Sequence, residues 1–196
     1  TRSIGPVSIS SFDPDECDRN PFCMPDADAA EKAGVYLRQL MKEKNSSGGI
    51  IECVVHGLPA GLGDPGFEKL DANLAKAMLS IGAVKGFEMG DGMAVAQATG
   101  LTNNDSFLPG SDGTVTKATN HAGGVLGGIS DGSPLIFRAA VKPTSSIAAL
   151  QQTVNKDGAP ITISVKGRHD PVIVPRAVVV ECMAALVLTD ALLMGM

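Results

Sequence analysis

"IIECVVHGLPAGLGDPGFEKLDANLAKAMLSIGAVKGFEM", residues 50–89, decides how the chain is read. Its opening, "IIECVVHGL", is a β-branched run of strand character. "DPGFEKLDANLAKAMLSIG" then carries the marks of a helix, with Asp64 as N-cap, Pro65 at the first helical position and Gly82 near the end. "AVKGFEMGDGMAVAQ" continues as another strand and a turn. Strand, loop and helix in succession predict a mixed α/β unit.

Upstream, "TRSIGPVSISSF" alternates apolar and polar residues from Ile4 to Ile9, as a strand would, and a Pro- and Asp-rich connection follows. From Asp28 to Lys44 the residues Ala33, Tyr36, Leu37, Leu40 and Met41 recur at helical spacing, with acids early and lysines late. "NSSGG" stops that helix. Downstream, residues 100–120 are polar and loop-like, "PLIFRAAVK" and "ITISVK" are strands, and a last helix starts near Pro175. Neither an internal repeat nor a linker divides the sequence, so residues 1–196 are expected to form a single domain.

The 196 residues are 44% hydrophobic and 19% charged, enough for one sizeable core. The net charge is −5, and the aromatic residues are six Phe, one Tyr and no Trp. With no run of Lys or Arg, the sequence offers neither an electrostatic footprint nor a stacking platform for nucleic acid. Cys17, Cys23, Cys53 and Cys182 form no CxxC pair and make no metal-ligand spacing with His56, His121 and His169, so they read as free thiols in a reducing cytosol. The longest apolar stretch, Ala177–Met196, is cut by Glu181 and Asp190 and reads as a buried helix, not a membrane span. Thr1 in place of an initiator Met suggests a fragment or processed product.

Four stretches offer chemistry. "GLGDPG", residues 61–66, matches GxGxxG between strand and helix, with Glu88 some way beyond, as a dinucleotide loop would. Pro65 has no N–H to offer a pyrophosphate, however, and a tight turn before a helix accounts for the same residues. "NHAGGVLGGISDG", residues 120–132, carries five glycines. These permit close backbone approach to a planar or anionic ligand, and equally a turn-rich structural loop. "KPTSS", residues 142–146, sets one cation beside three hydroxyls, a set suited to phosphate or to capping a helix at "SIAALQQ". In "KGRHDPVIVPRAV", residues 166–178, Arg168 can fork onto a phosphate or carboxylate and Asp170 can accept a proton. The alternative is a local ion pair on a surface turn.

Taken together, "NPFCMPD", "GLPAGLGDPGFEKLDANLAKAMLSIGAVKGFEMGDG", "NHAGGVLGGISDG", "KPTSSI" and "GRHDPVIVPRAVVVECMAALVL" resemble the chorismate synthase family in order and spacing, over nearly the entire chain. The resemblance implies a β-α-β sandwich assembled as a homotetramer in the cytoplasm, incomplete in this chain. It implies an anti 1,4-elimination of phosphate from 5-enolpyruvylshikimate 3-phosphate, giving chorismate. Reduced FMN (FMNH2) is required, although the overall change is redox-neutral, and an outside reductase or the enzyme itself, using NADPH, reduces the flavin. Neither nucleic acid nor a membrane is an expected partner.

By the same resemblance Gly82, Ala83, Gly127, Lys142, Pro143, Thr144, Ser145, Ser146 and Arg168 occupy FMN-binding positions. Arg168 and Asp170 lie where the family meets substrate and the reactive edge of the flavin, with Asp170 assisting proton movement at N5. Gly82 stands where some relatives carry Asn, so a contact there would be through backbone. The family's "GESHG" and "SARET" segments, which hold its catalytic histidines and several substrate-gripping arginines, do not occur in these residues. The expectation is the C-terminal part of a longer enzyme; the alternative is a truncated, non-catalytic FMN- or anion-binding fragment.

Overall fold

The computed structural model describes residues 1–110, 113–167, 170–172 and 177–195. Its elements are β1 (Ser3–Ile4), β2 (Val7–Ser8), α1 (Ala27–Lys42), β3 (Gly49–Val55), α2 (Leu70–Ser80), β4 (Val84–Met89), α3 (Gly100–Asn103), β5 (Phe107–Pro109) and β6 (Val115–Lys117). They continue as β7 (Val125–Leu126), β8 (Ile129–Ser130), β9 (Leu135–Val141), β10 (Gln151–Val154), β11 (Pro160–Ile163) and α4 (Ala177–Met194). The chain divides into two compact units, one of Thr1–Ile51 with Ala140–Ala177 and the other of Glu52–Ala139 with Val178–Met196. Strands β3 and β9 each run from one unit into the other.

In the first unit, β2, β1 and the start of β3 lie side by side in that order. The single strand expected over Ile4–Ile9 is instead a tight hairpin, with Ile4 opposite Val7. Gly5 makes the difference, because its φ of 53° turns the chain and a Cβ there would meet the Tyr36 ring at 2.6 Å. Helix α1 is capped by buried Asp26, whose Oδ1 accepts from the Ala29 N–H at 3.0 Å. Its Oδ2 accepts from the Ser10 and Ser11 amides at 2.8 and 3.0 Å and from the Ser10 hydroxyl. These donors, the Ala29 amide foremost, hold the Asp26 carboxyl well below the usual range. One face of α1 buries Ala29, Ala33, Leu37 and Leu40; of the residues read from the sequence as that face, Tyr36 is half-buried and Met41 is exposed.

In the second unit, β3, β9 and β4 are neighbours in that order, and α2 packs beside β4. Leu70, Leu74 and Met78, four residues apart, form the buried stripe of α2, and the Phe137 ring of β9 stacks on Phe87 at 5.5 Å. On β9, Arg138 donates from Nε to Glu52 Oε2 at 2.6 Å and from Nη1 to the Gly90 carbonyl at 2.8 Å.

Helix α2 begins at Leu70, five residues later than expected. Pro65 is extended, Gly66 has φ 88° and opens a short 3-10 turn over Gly66–Glu68, and Lys69 leaves the helical region again. The reason is tertiary: the Leu70 N–H is taken by the Gly128 carbonyl at 2.9 Å, so Asp64 caps nothing here. The polar stretch 100–120 holds short α3 and the β5–β6 hairpin rather than loop alone.

Helix α4 departs from expectation in its surroundings. Val180, Ala184 and Leu188 make one buried stripe, while Val178, Leu186 and Leu193 are exposed. A helix apolar on every side needs cover on more faces than this unit supplies. By length and composition it is also long and apolar enough to cross a membrane. Pro175, named as its start, lies outside the described residues.

Two outcomes are expected. Leu74→Ala, in a side chain with no exposure, lowers unfolding free energy by about 2–5 kcal/mol, read as a fall in the urea midpoint at constant slope. Because the Asp26 carboxyl is depressed in the folded state, its stabilisation is complete above the unfolded value near about pH 4 and is lost as pH falls below it. Asp26→Asn removes that titration, so its urea midpoint declines less steeply below about pH 4 than that of the parent; equal slopes would assign the acid sensitivity to other carboxylates.

Candidate functional site

Lys142–Ser146 leaves the end of β9 as an irregular loop. No helix follows it: "SIAALQQ" passes through bends into β10, so the capping alternative fails. The loop is held from one side by residues 44–48. The Ser46 hydroxyl donates to the Thr144 carbonyl at 2.6 Å, and the Ala149 N–H donates to the Lys44 carbonyl at 3.3 Å. Gly48 lies against the loop's start, where a Cβ would stand 2.5 Å from the Val141 carbonyl oxygen and 3.1 Å from Pro143 Cδ. Among the described residues, the Lys142 ammonium and the hydroxyls of Thr144, Ser145 and Ser146 have no hydrogen-bond partner. Lys142, Pro143 and Ser145 are exposed.

Asp170 is exposed and adjoins the same anchor, because the Ser47 N–H donates to the Pro171 carbonyl at 2.7 Å and Ser47 bridges to buried Val172. Two successive serines therefore hold the KPTSS loop and the Asp170 stretch. Arg168, the other residue expected to be catalytic, lies outside the described residues, as does His169.

Gly82, Ala83 and Gly127 belong to the second unit. Gly82 and Ala83 form the turn from α2 into β4, where Ala83 takes the left-handed φ of 75°. A Cβ at Gly82 would meet nothing within 4 Å, so this backbone borders open space and no steric rule demands glycine. Gly127 and Gly128 make the two-residue turn of the β7–β8 hairpin, with φ of 61° and 91°, the double positive that glycine favours. Gly127 is open; Gly128 is not, since a Cβ there would strike the Lys69 stem. The hairpin bonds to the first residue of α2 and Gly82 lies two residues past its last, so about 16 Å of helix, at 1.5 Å per residue, separates the two ends.

The GxGxxG match is structural. The Gly61 amide donates to the Ser130 carbonyl at 2.8 Å and the Leu62 amide to Ser130 Oγ at 2.9 Å, which in turn donates to the Pro59 carbonyl. Gly63 has room for no side chain, with the Gly128 oxygen 2.4 Å from where a Cβ would stand. The Gly61 and Leu62 amides are thus spent on the β7–β8 hairpin, and no α-helix opens at the glycines. An open cavity of about 580 Å³ lies between this loop, α2 and the end of α4, and none of the expected site residues that are described lines it.

Sequence reasoning missed the charge cluster behind the glycine loop. Lys117 pairs with Asp131, lies 3.8 Å from Asp105, and sits over the Phe107 ring, with all three charged side chains at most 8% exposed. Asp105 accepts from Thr119 Oγ and the His121 amide, both at 2.7 Å, and from the Ala122 amide at 3.0 Å. Burial pushes its carboxyl up, but the Ala122, Thr119 and His121 donors with Lys117 outweigh it and the net shift is downward. His121 Nδ1 meets Asp91 Oδ2 at 2.6 Å. Neither these pairings nor Ser46 had a sequence signal, because each joins positions far apart in the chain. Among the described residues, no cluster of His, Cys, Asp and Glu suits a metal ion.

Comparison with known proteins agrees with the resemblance. The family model described as chorismate synthase matches residues 1–193. The chain is 67% identical to a chorismate synthase of Agathobacter rectalis, covering all of this chain and 54% of that protein. It is 58% identical to one of Lachnoclostridium phytofermentans, with the same coverage. A crystal structure of a chorismate synthase superposes with a TM-score of 0.80 at 26% identity, over 99% of this chain and 56% of that one. The chain therefore spans about half the length of the curated relatives it matches. With a mixed α/β architecture that follows the solved structure, and a family model matched over nearly its full length, the chain belongs to the chorismate synthase family.

Proposed function

We propose that this chain supplies the flavin-phosphate loop and a proton-handling carboxylate of a reduced-FMN-dependent chorismate synthase. The observation that carries the reading is the unspent donor set of Lys142–Ser146, held by the same serine pair as the Asp170 stretch. One ammonium and three hydroxyls answer the charge of a phosphate monoester, and a loop that spends none of them internally among the described residues has them available. The Gly82–Ala83 turn offers backbone beside open space, as a flat ring would require, and Gly127 is an exposed glycine turn. The donor chemistry fits FMN, with Lys142, Thr144, Ser145 and Ser146 on the phosphate and Arg168 as a further cation.

The reaction breaks a C–H bond and, on the opposite face of the ring, a C–O bond: the C–H pair forms a new π bond, the ring alkene shifts by one position, and phosphate leaves with the C–O pair. Held by Lys142, Thr144, Ser145 and Ser146, reduced FMN would supply electron density to that system. Asp170, an exposed carboxylate, holds or accepts the proton that moves. Lys142 and the hydroxyls bind and orient without touching the bonds that change. In this reading 5-enolpyruvylshikimate 3-phosphate is the substrate, NADPH or an outside reductase maintains the flavin, and the protein works in the cytoplasm as a homotetramer.

The experiment uses the protein at the length at which it is produced. Lys142→Ala removes a charge-assisted contact of about 1.5–3 kcal/mol, so FMN affinity falls roughly ten- to a hundredfold; an unchanged titration removes Lys142 from the site. Asp170→Asn keeps shape and a hydrogen bond but cannot accept a proton. Turnover should then fall by about 10²-fold or more with FMN affinity little altered, followed by single-turnover flavin absorbance. Near-normal chorismate formation would overturn the proton role, and tight FMN binding without any turnover in the parent protein would leave a flavin-binding fragment as the reading.

A further inference from the structure

We infer that Ser46 is the positioning residue of this loop, turning the Ser145 backbone N–H toward the ligand phosphate. The inference rests on reading Lys142–Ser146 as a flavin-phosphate loop. Ser46 reaches across 98 positions of sequence to donate to the Thr144 carbonyl at 2.6 Å. In a trans peptide the carbonyl oxygen and the following N–H point in opposite directions, so anchoring the Thr144 oxygen aims the Ser145 N–H away from the anchor. That N–H and the next one, of Ser146, have no partner among the described residues, whereas the Ser145 carbonyl is occupied by the Ile147 amide at 3.0 Å and by Gln151 Nε2.

The anchor itself cannot swing. The Asn45 N–H is bonded to the Leu40 carbonyl at the end of α1, and the Ser47 N–H and Oγ are bonded to Pro171 and Gly48. Gly48 closes the other side against Val141 and Pro143, and its carbonyl receives the Gly5 amide at 2.9 Å. The Thr144 and Ser145 carbonyls thus face protein, and the Ser145 and Ser146 amides, the hydroxyls and the cation are left for an anion, a polarity that the Ser46 hydroxyl sets at the Thr144–Ser145 peptide.

The test compares FMN with riboflavin, which has the same ring and no phosphate, by quenching of flavin fluorescence in the protein at its produced length. Ser46→Ala should weaken FMN about tenfold and leave riboflavin unchanged, while Ser46→Thr, which keeps the hydroxyl, restores the preference for FMN. If Ser46→Ala fails to fold, Ser46→Cys, a weaker donor of similar size, serves and should lose part of that preference. A preference unchanged in the alanine or cysteine variant, with Lys142→Ala abolishing it, overturns the role of Ser46 alone. A preference unchanged in Lys142→Ala as well overturns the phosphate loop itself. Equal losses for both flavins would show that Ser46 only supports the fold.

Discussion

Arg138 is the point on which the second unit turns. It stands on β9, the middle of three neighbouring strands, and its guanidinium bonds a carboxylate on β3 and the carbonyl that closes β4. A planar fork with fixed donor directions can serve two partners at once only if both strands hold their register, so the side chain acts as a gauge as well as a bond. Its environment is four-fifths buried, and loss of Glu52 would strand a cation where water reaches poorly. The turn beyond β4 has little slack to absorb a change: a Cβ at Gly90 would lie 2.0 Å from the His121 oxygen, and one at Gly123 would lie 2.4 Å from the Gly90 amide. The glycine-rich stretch 120–128 is therefore pressed between Arg138's turn and the start of α2.

The contrast between the two loops that look most like ligand sites is one of spent and unspent donors. GLGDPG has the pattern of a nucleotide loop, yet its Gly61 and Leu62 amides are consumed by Ser130. KPTSS has no such pattern, yet its hydroxyls, ammonium and central amides are uncommitted among the described residues, and protein partners reach only its carbonyls. Glycine spacing reports that a backbone can come close to something. Whether that something is a ligand or another loop is settled by where the N–H groups go.

What the sequence displayed and what it concealed divide along the range of the deciding contact. Helix α1, strands β3, β4 and β9 and the body of α2 were readable because period and β-branching act over neighbours. The Ile4–Ile9 strand failed at Gly5, whose bend is set by Tyr36 and Ser47, and α2's start failed at Leu70, whose amide is claimed by Gly128. β10, the β5–β6 hairpin and the tiny β7–β8 hairpin are too short to carry a period. At the candidate site, composition offered the loop and Asp170 only as alternatives beside a helix cap and a surface ion pair, the family resemblance chose between them, and Ser46 gave no signal, since a Ser before Gly-Gly reads only as a helix stop.

The neighbouring of β3 and β9 also bears on how the chain finds its structure. Glu52 and Arg138 are 86 positions apart, and between them lie α2, β4 and both small hairpins of the second unit. Closing so long a loop costs entropy that no local contact returns, whereas α2 beside β4 closes across a single turn. The second unit is thus wired to gather its local pieces early and to seat its central strand late. Until β9 arrives, the edges of β3 and β4 stand without that partner, and this interval is when a chain of this design is most exposed to pairing with the wrong strand.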